Sequence, residues 1–508
     1  MCKLNLKTKN IDINSLTFKN VVLIHKDDAI KLNLKSHNKL LIEYENKKIS
    51  AVVETTNTMI KPGQIGLYQS IHENLKIPDD TFVKVSIAPG LDSIKYIQNK
   101  IYTKKPYTRE QLDAILRDIY EQNLSPLEIS VFLMAQEYIP MTDDEIENMT
   151  RGMAELGEII DWGNEIVYTK HSIGGVPGNK VSLLIVPIVA SAGLLIPKIS
   201  TRAITSPAGT ADTMEIFAPI EFNAEEIKEM ALKVKGTICW GGKLDLSPAD
   251  SIIASVESIL NLDPTSQIIA SILSKQLALG VNKMVLDLPI GSHAKVKTRN
   301  EARKLSFKFI EIASRLNICL ECGITYGGQP IGYNVGPALE AREALETLMG
   351  HGPNSLIEKS VELAGILLEL GGKSKRGSGY QDAENILKSG RALEKFREII
   401  ETQGGNREVK PSDIQPGKYT YDYLAYDDGY VKNISNKLIT EIARASGAPK
   451  SKGAGIKLFV KEGHKVSKNS KLLRIYAEKE EKLSDAIKIL EKEKPIYIES
   501  MLLDRIGR

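Results

Sequence analysis

Cysteine is scarce: four residues in a chain of 508 cannot build a disulfide framework, which points to a reducing compartment and a cytoplasmic location. The N-terminal stretch Met1-Cys2-Lys3-Leu4-Asn5-Leu6 lacks the apolar core of a secretion signal. The longest apolar run, around Val181 to Ile196, is interrupted by Pro187, Ser191 and Gly193. It falls short of the roughly 20 residues that span a bilayer, so no membrane partner is expected. Charge of one sign is also missing. Lys plus Arg is 67 against 64 Asp plus Glu, a net charge of +3, which offers no whole-chain case for nucleic-acid or membrane binding. No strong repeat and no low-complexity tract interrupts the chain, and the histidines show no metal-ligand spacing.

What remains is the composition of a globular protein, 42% apolar and 26% charged, long enough for about two to four domains. Residues 1–86 read as β-rich: Val21 to Ile24, Leu40 to Ile42, Ala51 to Val53 and Phe82 to Ser86 are short apolar runs between polar turns. Residues 87–165 turn helical. Thr108 with Glu110 and Gln111, Ser125-Pro126, and Thr142 to Glu145 read as helix starts, and Leu112, Ile115, Leu116 and Ile119 keep helical spacing. From 166 to 415, strand-like runs (Val181 to Leu195, Met284 to Leu288, Ile318 to Thr325) alternate with helical patterns, which predicts a mostly parallel, mixed sheet covered by helices. Residues 416–508 read as an α+β domain with strands and one helix, Lys482 to Glu491. The fold class is therefore multidomain α/β and α+β.

Two segments stand out chemically. Lys170-His171-Ser172-Ile173-Gly174-Gly175-Val176-Pro177-Gly178-Asn179-Lys180-Val181-Ser182 gathers glycines, hydroxyls and lysines just before an apolar run. Glycine lets backbone N–H groups approach an anion closely, and Ser and Lys add donors and charge. The spacing is not that of a P-loop, because Asn179 follows Gly178. Composition alone fits a Gly-rich turn as well as an anion site. The second segment, Ser200-Thr201-Arg202-Ala203-Ile204-Thr205-Ser206-Pro207-Ala208-Gly209-Thr210-Ala211-Asp212, supplies five hydroxyls and one Arg. By itself it reads first as a capping loop. Cys319 and Cys322 form a single Cys-x-x-Cys with no second pair, which reads as ordinary cysteines. His171 adjoins the first segment, where binding, packing and hydrogen bonding are all open.

Together the two segments resemble the nucleoside phosphorylase family that includes thymidine phosphorylase, with its Lys-x-Ser-x-Gly-Gly loop and its Ser-x-Arg loop ending in Gly-Thr-x-Asp. The resemblance continues in order through Leu246 to Asp250, Ala270 to Lys275, Gly291-Ser292-His293-Ala294 and Ala341 to Ala344, covering roughly residues 100 to 500. The β-rich N-terminal region and the form of the second loop look most like the archaeal AMP phosphorylases. The resemblance implies a helical domain, with a later segment near 248–280, and an α/β domain flanking a cleft. It implies phosphorolysis of AMP to adenine and ribose 1,5-bisphosphate, with CMP and UMP as further candidates, and no cofactor besides phosphate as co-substrate. It also implies a homodimer or larger homo-oligomer.

Carried over by position, Lys170, Ser172, Ser182, Ser200 and Thr210 match phosphate contacts. Gly175, Thr201, Arg202, Ala203, Ile204, Thr205, Ser206, Thr210, Ser271 and Lys295 match contacts to AMP, and Lys275 a contact to the base. The 5′-phosphate falls to the Arg202–Ser206 stretch with Lys295. Ser251 to Asp263 contains no Arg where pyrimidine-specific members carry one, and Asp263 matches the proton-donor position. A carboxylic acid can protonate a purine ring nitrogen as the base leaves. Without the resemblance, Asp263-Pro264 reads as a helix cap or turn. The alternatives are a thymidine or pyrimidine nucleoside phosphorylase, which would prefer nucleosides, an anthranilate-type phosphoribosyltransferase, which needs a diphosphate–magnesium motif not found beside the Gly-rich loop, and a binding module that has lost activity.

Overall fold

Period-two alternation sets the first element. Leu40 and Ile42 are fully buried in β3 (Lys39–Tyr44), while Val83 and Val85 point inward from β6 (Phe82–Ile87) and Phe82 and Lys84 outward. With β1 (Lys3–Ile11), β2 (Val21–His25), β4 (Lys47–Thr56) and β5 (Gln64–Tyr68) they close a barrel in the order β1-β5-β2-β4-β3-β6. The β1–β5 and β2–β4 pairs are parallel and the others antiparallel. Closure leaves no free edge to pair with another chain. The computed structural model describes residues 3–13, 20–36, 38–203, 206–292 and 294–506.

The chain divides into two compact units, Met1–Gly157 with Ser247–Ser274, and Glu158–Leu246 with Lys275–Arg508. Besides the barrel, the first unit contains helices whose starts are chemically specified. Thr108, Ser125 and Thr142 each cap a helix through a reciprocal capping box with Gln111, Glu128 and Glu145. Glu145 does more than cap. Its carboxylate accepts from Lys100 Nζ at 2.6 Å and from the Tyr107 N–H at 2.7 Å, all buried. Apolar side chains Leu112, Ile115, Phe132, Met149 and Ile253 fill the space between these helices.

In the second unit β7 (Tyr168–Ser172), β10 (Lys283–Ile290) and β11 (Cys319–Tyr326) form a parallel sheet with β10 central. A second parallel pair, β8 (Ile196–Ser200) with β9 (Gly236–Trp240), meets the β7 edge at a bridge between Val167 and Leu195. The strand order is thus β11-β10-β7-β8-β9. Two sequence expectations change here. Val181 to Leu195 is not a strand: Ser182–Ser191 is a helix, with every residue from Ser182 to Ala190 buried. A helix covered on all sides has no polar face, so its apolar run cannot be told from a buried strand by periodicity. The C-terminal region carries two helices, not one, Asn436–Ala445 and Glu480–Lys492. Ser435 caps the first, and Leu438, Ile439, Ile442 and Ala443 supply its buried face. Both pack with two antiparallel sheets: Asn334–Val335, Gly455–Leu458, Lys471–Ala477 and Tyr419–Leu424 in one, and Lys465–Val466, Gly429–Ile434 and Ile496–Glu499 in the other. Among the described residues no helix is long and apolar enough to cross a membrane.

Candidate active site

Parallel strands direct their carboxyl ends, and the loops that follow them, to one edge of the sheet. The chain leaves β7 toward β8 on one side, and leaves β10 toward β11 on the other. That makes β7/β10 a topological switch point, the edge at which open parallel sheets bind ligands. Lys170 and Ser172 lie at the end of β7 with Ile173 to Gly175 following, Gly291 and Ser292 follow β10, and Ser200 ends β8 beside them with Thr201 to Ala203 following.

Asp287, at the centre of the sheet and completely buried, organises this edge. Its Oδ2 accepts from Ser172 Oγ at 2.9 Å and from Asn179 Nδ2 at 3.4 Å, and its Oδ1 accepts from Thr325 Oγ1 at 2.6 Å. Lys359 Nζ lies 3.1 Å and Lys170 Nζ 3.8 Å from Oδ2. Burial pushes the carboxyl's pKa up, but the Lys359 and Lys170 charges outweigh it and hold the group below its ordinary value.

Lys198 is the residue that sequence reasoning missed. It stands three positions past the Val167–Leu195 bridge in β8, as Lys170 does in β7, so the two lysines lie side by side on neighbouring strands. Lys198 is buried, donates to the Ile199 carbonyl oxygen at 2.9 Å, and has no carboxylate within ion-pair distance among the described residues. Burial, with the Lys170 charge adding to it, pushes its pKa down to about 7. Lys170 is pushed down to about 8, again by burial first and against the pull of Asp287. The His171 ring, largely enclosed although the residue reaches the surface, is held well below its usual pKa by burial and then by Lys198, Lys275 and Lys170. Two ammonium groups, Lys359 and Lys170, share the Asp287 carboxylate, and Lys198 beside Lys170 adds a third without a carboxylate of its own, so the site is short of negative charge. A signal for Lys198 existed in the sequence: a lysine inside the apolar stretch Leu195 to Ile199.

The other anticipated residues fall as follows. Gly175 has φ +89°, and a Cβ there would sit 3.0 Å from the Lys295 backbone nitrogen, so the two loops touch at this glycine. Lys295 itself is exposed. Ser182 begins the buried helix and is itself buried. Ser200 ends β8, half-buried, and Thr201 is exposed. Asp212 ties Ala203 to Gly209: its Oδ2 accepts from the Ala203 N–H at 2.7 Å and the Gly209 N–H at 2.9 Å. Thr210 opens the short helix that carries Asp212. Arg202 does not extend freely. Its guanidinium makes a bidentate pair with Glu215 (2.7 and 2.6 Å), meets Glu221 at 3.1 Å and stacks 5.0 Å from the Trp240 ring. Ser206 Oγ donates to the Ala208 carbonyl. Ile204 and Thr205 lie outside the described residues, as does His293. Lys275, on the last turn of the helix Thr265–Ala278, belongs to the second unit.

In the first unit, Asp263 is exposed, immediately before that helix. Ser271 Oγ donates to Asp250 Oδ2 at 2.9 Å, and Gln267 Nε2 donates to the other oxygen at 3.2 Å. Asp250 thereby locks the helix Pro248–Leu260 to its successor. Cys319 is exposed and Cys322 partly buried, three positions apart on β11 and so on opposite faces; burial pushes the Cys322 thiol up to about 11.

Comparison with known proteins fixes the family. The chain is 44% identical to the AMP phosphorylase of Methanosarcina mazei over 508 residues, 100% of this chain and 99% of that protein. It is 45% identical to the AMP phosphorylase of Thermococcus kodakarensis, covering 99% of this chain and 100% of that one. The chain belongs to the AMP phosphorylase family. Three family models match along it: the glycosyl transferase family helical bundle domain over 95–157, the a/b domain of the same family over 164–393, and the pyrimidine nucleoside phosphorylase C-terminal domain over 430–497. Among solved structures, the anthranilate phosphoribosyltransferase of Thermus thermophilus aligns with a TM-score of 0.52 at 19% identity, over 61% of this chain and 99% of that one. At that identity the likeness is one of fold.

Proposed function

We propose that this chain phosphorolyses AMP, releasing adenine and ribose 1,5-bisphosphate. The observation that carries the reading is the cation-rich edge of the sheet, Lys198 beside Lys170 and Lys170 beside Asp287, in a chain of this family. A phosphate dianion there restores the charge that the lysines lose by burial, so its binding is coupled to their protonation. Held by Lys170, Ser172, Ser182, Ser200, Thr210 and Lys198, one phosphate oxygen attacks C1′ of the ribose and the C1′–N9 bond breaks. Positioning of this kind supplies much of the rate acceleration in group transfer. Asp263 delivers the proton that the departing adenine requires at N7. Ser271 and Lys275 contact the base. The backbone and hydroxyls of the Arg202–Ser206 stretch, with Lys295, bind the 5′-phosphate, and Gly175 and Thr201 contact AMP. Arg202 contributes through its backbone, since Glu215 and Glu221 occupy its guanidinium. The working enzyme is expected in the cytoplasm as a homo-oligomer, and light scattering measures its size.

The test is incubation with AMP, adenosine, CMP, UMP and thymidine, each with and without phosphate, following free base and sugar phosphate. Phosphate-dependent adenine release from AMP but not adenosine is the expected result. Equal or better use of adenosine or thymidine overturns the 5′-phosphate assignment and makes this a nucleoside enzyme.

A further inference from the structure

The substrate loop after β8 is held by more than its own residues. Asp212, almost wholly buried, uses Oδ2 to bind both ends of the loop, at the Ala203 and Gly209 N–H groups. Its Oδ1 faces two cations at equal distance, Arg202 Nη1 and Lys452 Nζ, each at 3.6 Å. Lys452 also pairs with Glu215, the carboxylate that grips Arg202 from the other side. Both cations hold the Glu215 carboxyl down to about 2, the Arg202 hydrogen bond contributing most. Lys452 comes from the C-terminal domain, between the helix Asn436–Ala445 and the strand Gly455–Leu458. Its own backbone is fixed, because its carbonyl accepts from the Ala338 N–H at 3.0 Å. From the same domain, Arg444 Nη1 reaches the Ser206 carbonyl at 3.4 Å.

We propose that Lys452 is a positioning residue for the phosphorolysis, through which the C-terminal domain fixes Ala203 and Gly209, where the substrate loop is anchored. The inference rests on the proposed function, which places AMP against that loop. Three carboxylates, Asp212, Glu215 and Glu221, surround Arg202. One guanidinium cannot satisfy all three at short range, and Lys452 takes the share of Asp212 and Glu215 that Arg202 leaves. Without it, Arg202 is drawn toward the buried Asp212 and away from Glu215. The amide pair that closes the loop then competes for a carboxylate with altered partners.

Lys452→Met and Lys452→Arg test this, by steady-state kinetics and by hydrogen exchange at the Ala203 and Gly209 amides. Lys452→Met is expected to raise the KM for AMP about tenfold while kcat stays within about threefold, to speed exchange at both amides, and to be rescued by Lys452→Arg. Unchanged KM and exchange overturn the proposal. So does an equal loss in Lys452→Met and Lys452→Arg with a lowered unfolding temperature, which marks a merely structural lysine. If Lys452→Met does not fold, Lys452→Gln gives the same two readouts. A wild-type protein that releases no adenine from AMP refutes the proposed function instead. The exchange arm then still decides the clamp, since faster exchange at the two amides supports it and unchanged exchange overturns it.

Discussion

Lys198→Met is the most informative substitution, because it is expected to stabilise the protein while damaging the site. Methionine keeps an unbranched, flexible side chain of nearly the same length and removes the charge. In the folded chain the ammonium has a pKa of about 7 against an ordinary 10.5. A folded pKa below the unfolded one means the unfolded chain binds the extra proton between those values, so stability rises as pH climbs from about 7 toward 10.5. At pH 7 the linked cost of the lysine is about 4 kcal/mol, from about 1.4 kcal/mol per pKa unit. Removing it should raise the unfolding temperature in phosphate-free buffer by several degrees and flatten the rise in stability above pH 7. Phosphate reverses the sign. An anion favours the charged lysines, so binding near pH 7 to 8 takes up protons at Lys198 and Lys170. Titration calorimetry in two buffers of different ionisation enthalpy reads that uptake directly. The variant should lose part of it and need at least tenfold more phosphate for half-maximal rate. A variant that is less stable without phosphate, yet has wild-type phosphate dependence and proton uptake, refutes the reasoning and makes Lys198 an ordinary buried lysine.

Asp263→Asn keeps the shape and removes the proton; kcat should fall by about a hundredfold or more with little change in the KM for AMP, and unchanged turnover discards the general-acid role. Lys170→Ala should raise the KM for phosphate more than that for AMP, and equal KM values would take Lys170 out of the phosphate site. Arg202→Lys keeps the charge but loses the bidentate pair with Glu215, so the KM for AMP should rise severalfold by initial-rate measurement. Glu145→Gln leaves Lys100 buried without its partner and should cost about 3 to 5 kcal/mol in denaturant unfolding, with a wild-type transition midpoint counting against the buried pair.

Local chemistry was legible. The starts at Thr108, Ser125 and Thr142 are visible because a capping box is a contract between residues three apart, and the structure forms all three. The same holds for Lys170 to Gly175 and Ser200 to Thr210, whose residue types and order carried the family resemblance. The helix Ser182–Ser191 was misread because a fully enclosed segment erases the periodicity that distinguishes helix from strand. The helix Asn436–Ala445 was overlooked although its cap and apolar spacing were on display.

The amino-acid order by itself determined where the helices with capping boxes begin, which loops bring glycines and hydroxyls together, and which family the chain resembles, since each depends on neighbours along the chain. Tertiary structure alone decided which charges meet. Lys170 and Lys198 are 28 residues apart and become neighbours only through parallel strand pairing. Asp287 and Lys359 join them from further strands and helices, and Lys452 reaches Asp212 across 240 residues of chain. Burial, which lowers the lysine pKa values and creates the demand for an anion, is a property of that packing, and no window of sequence contains it.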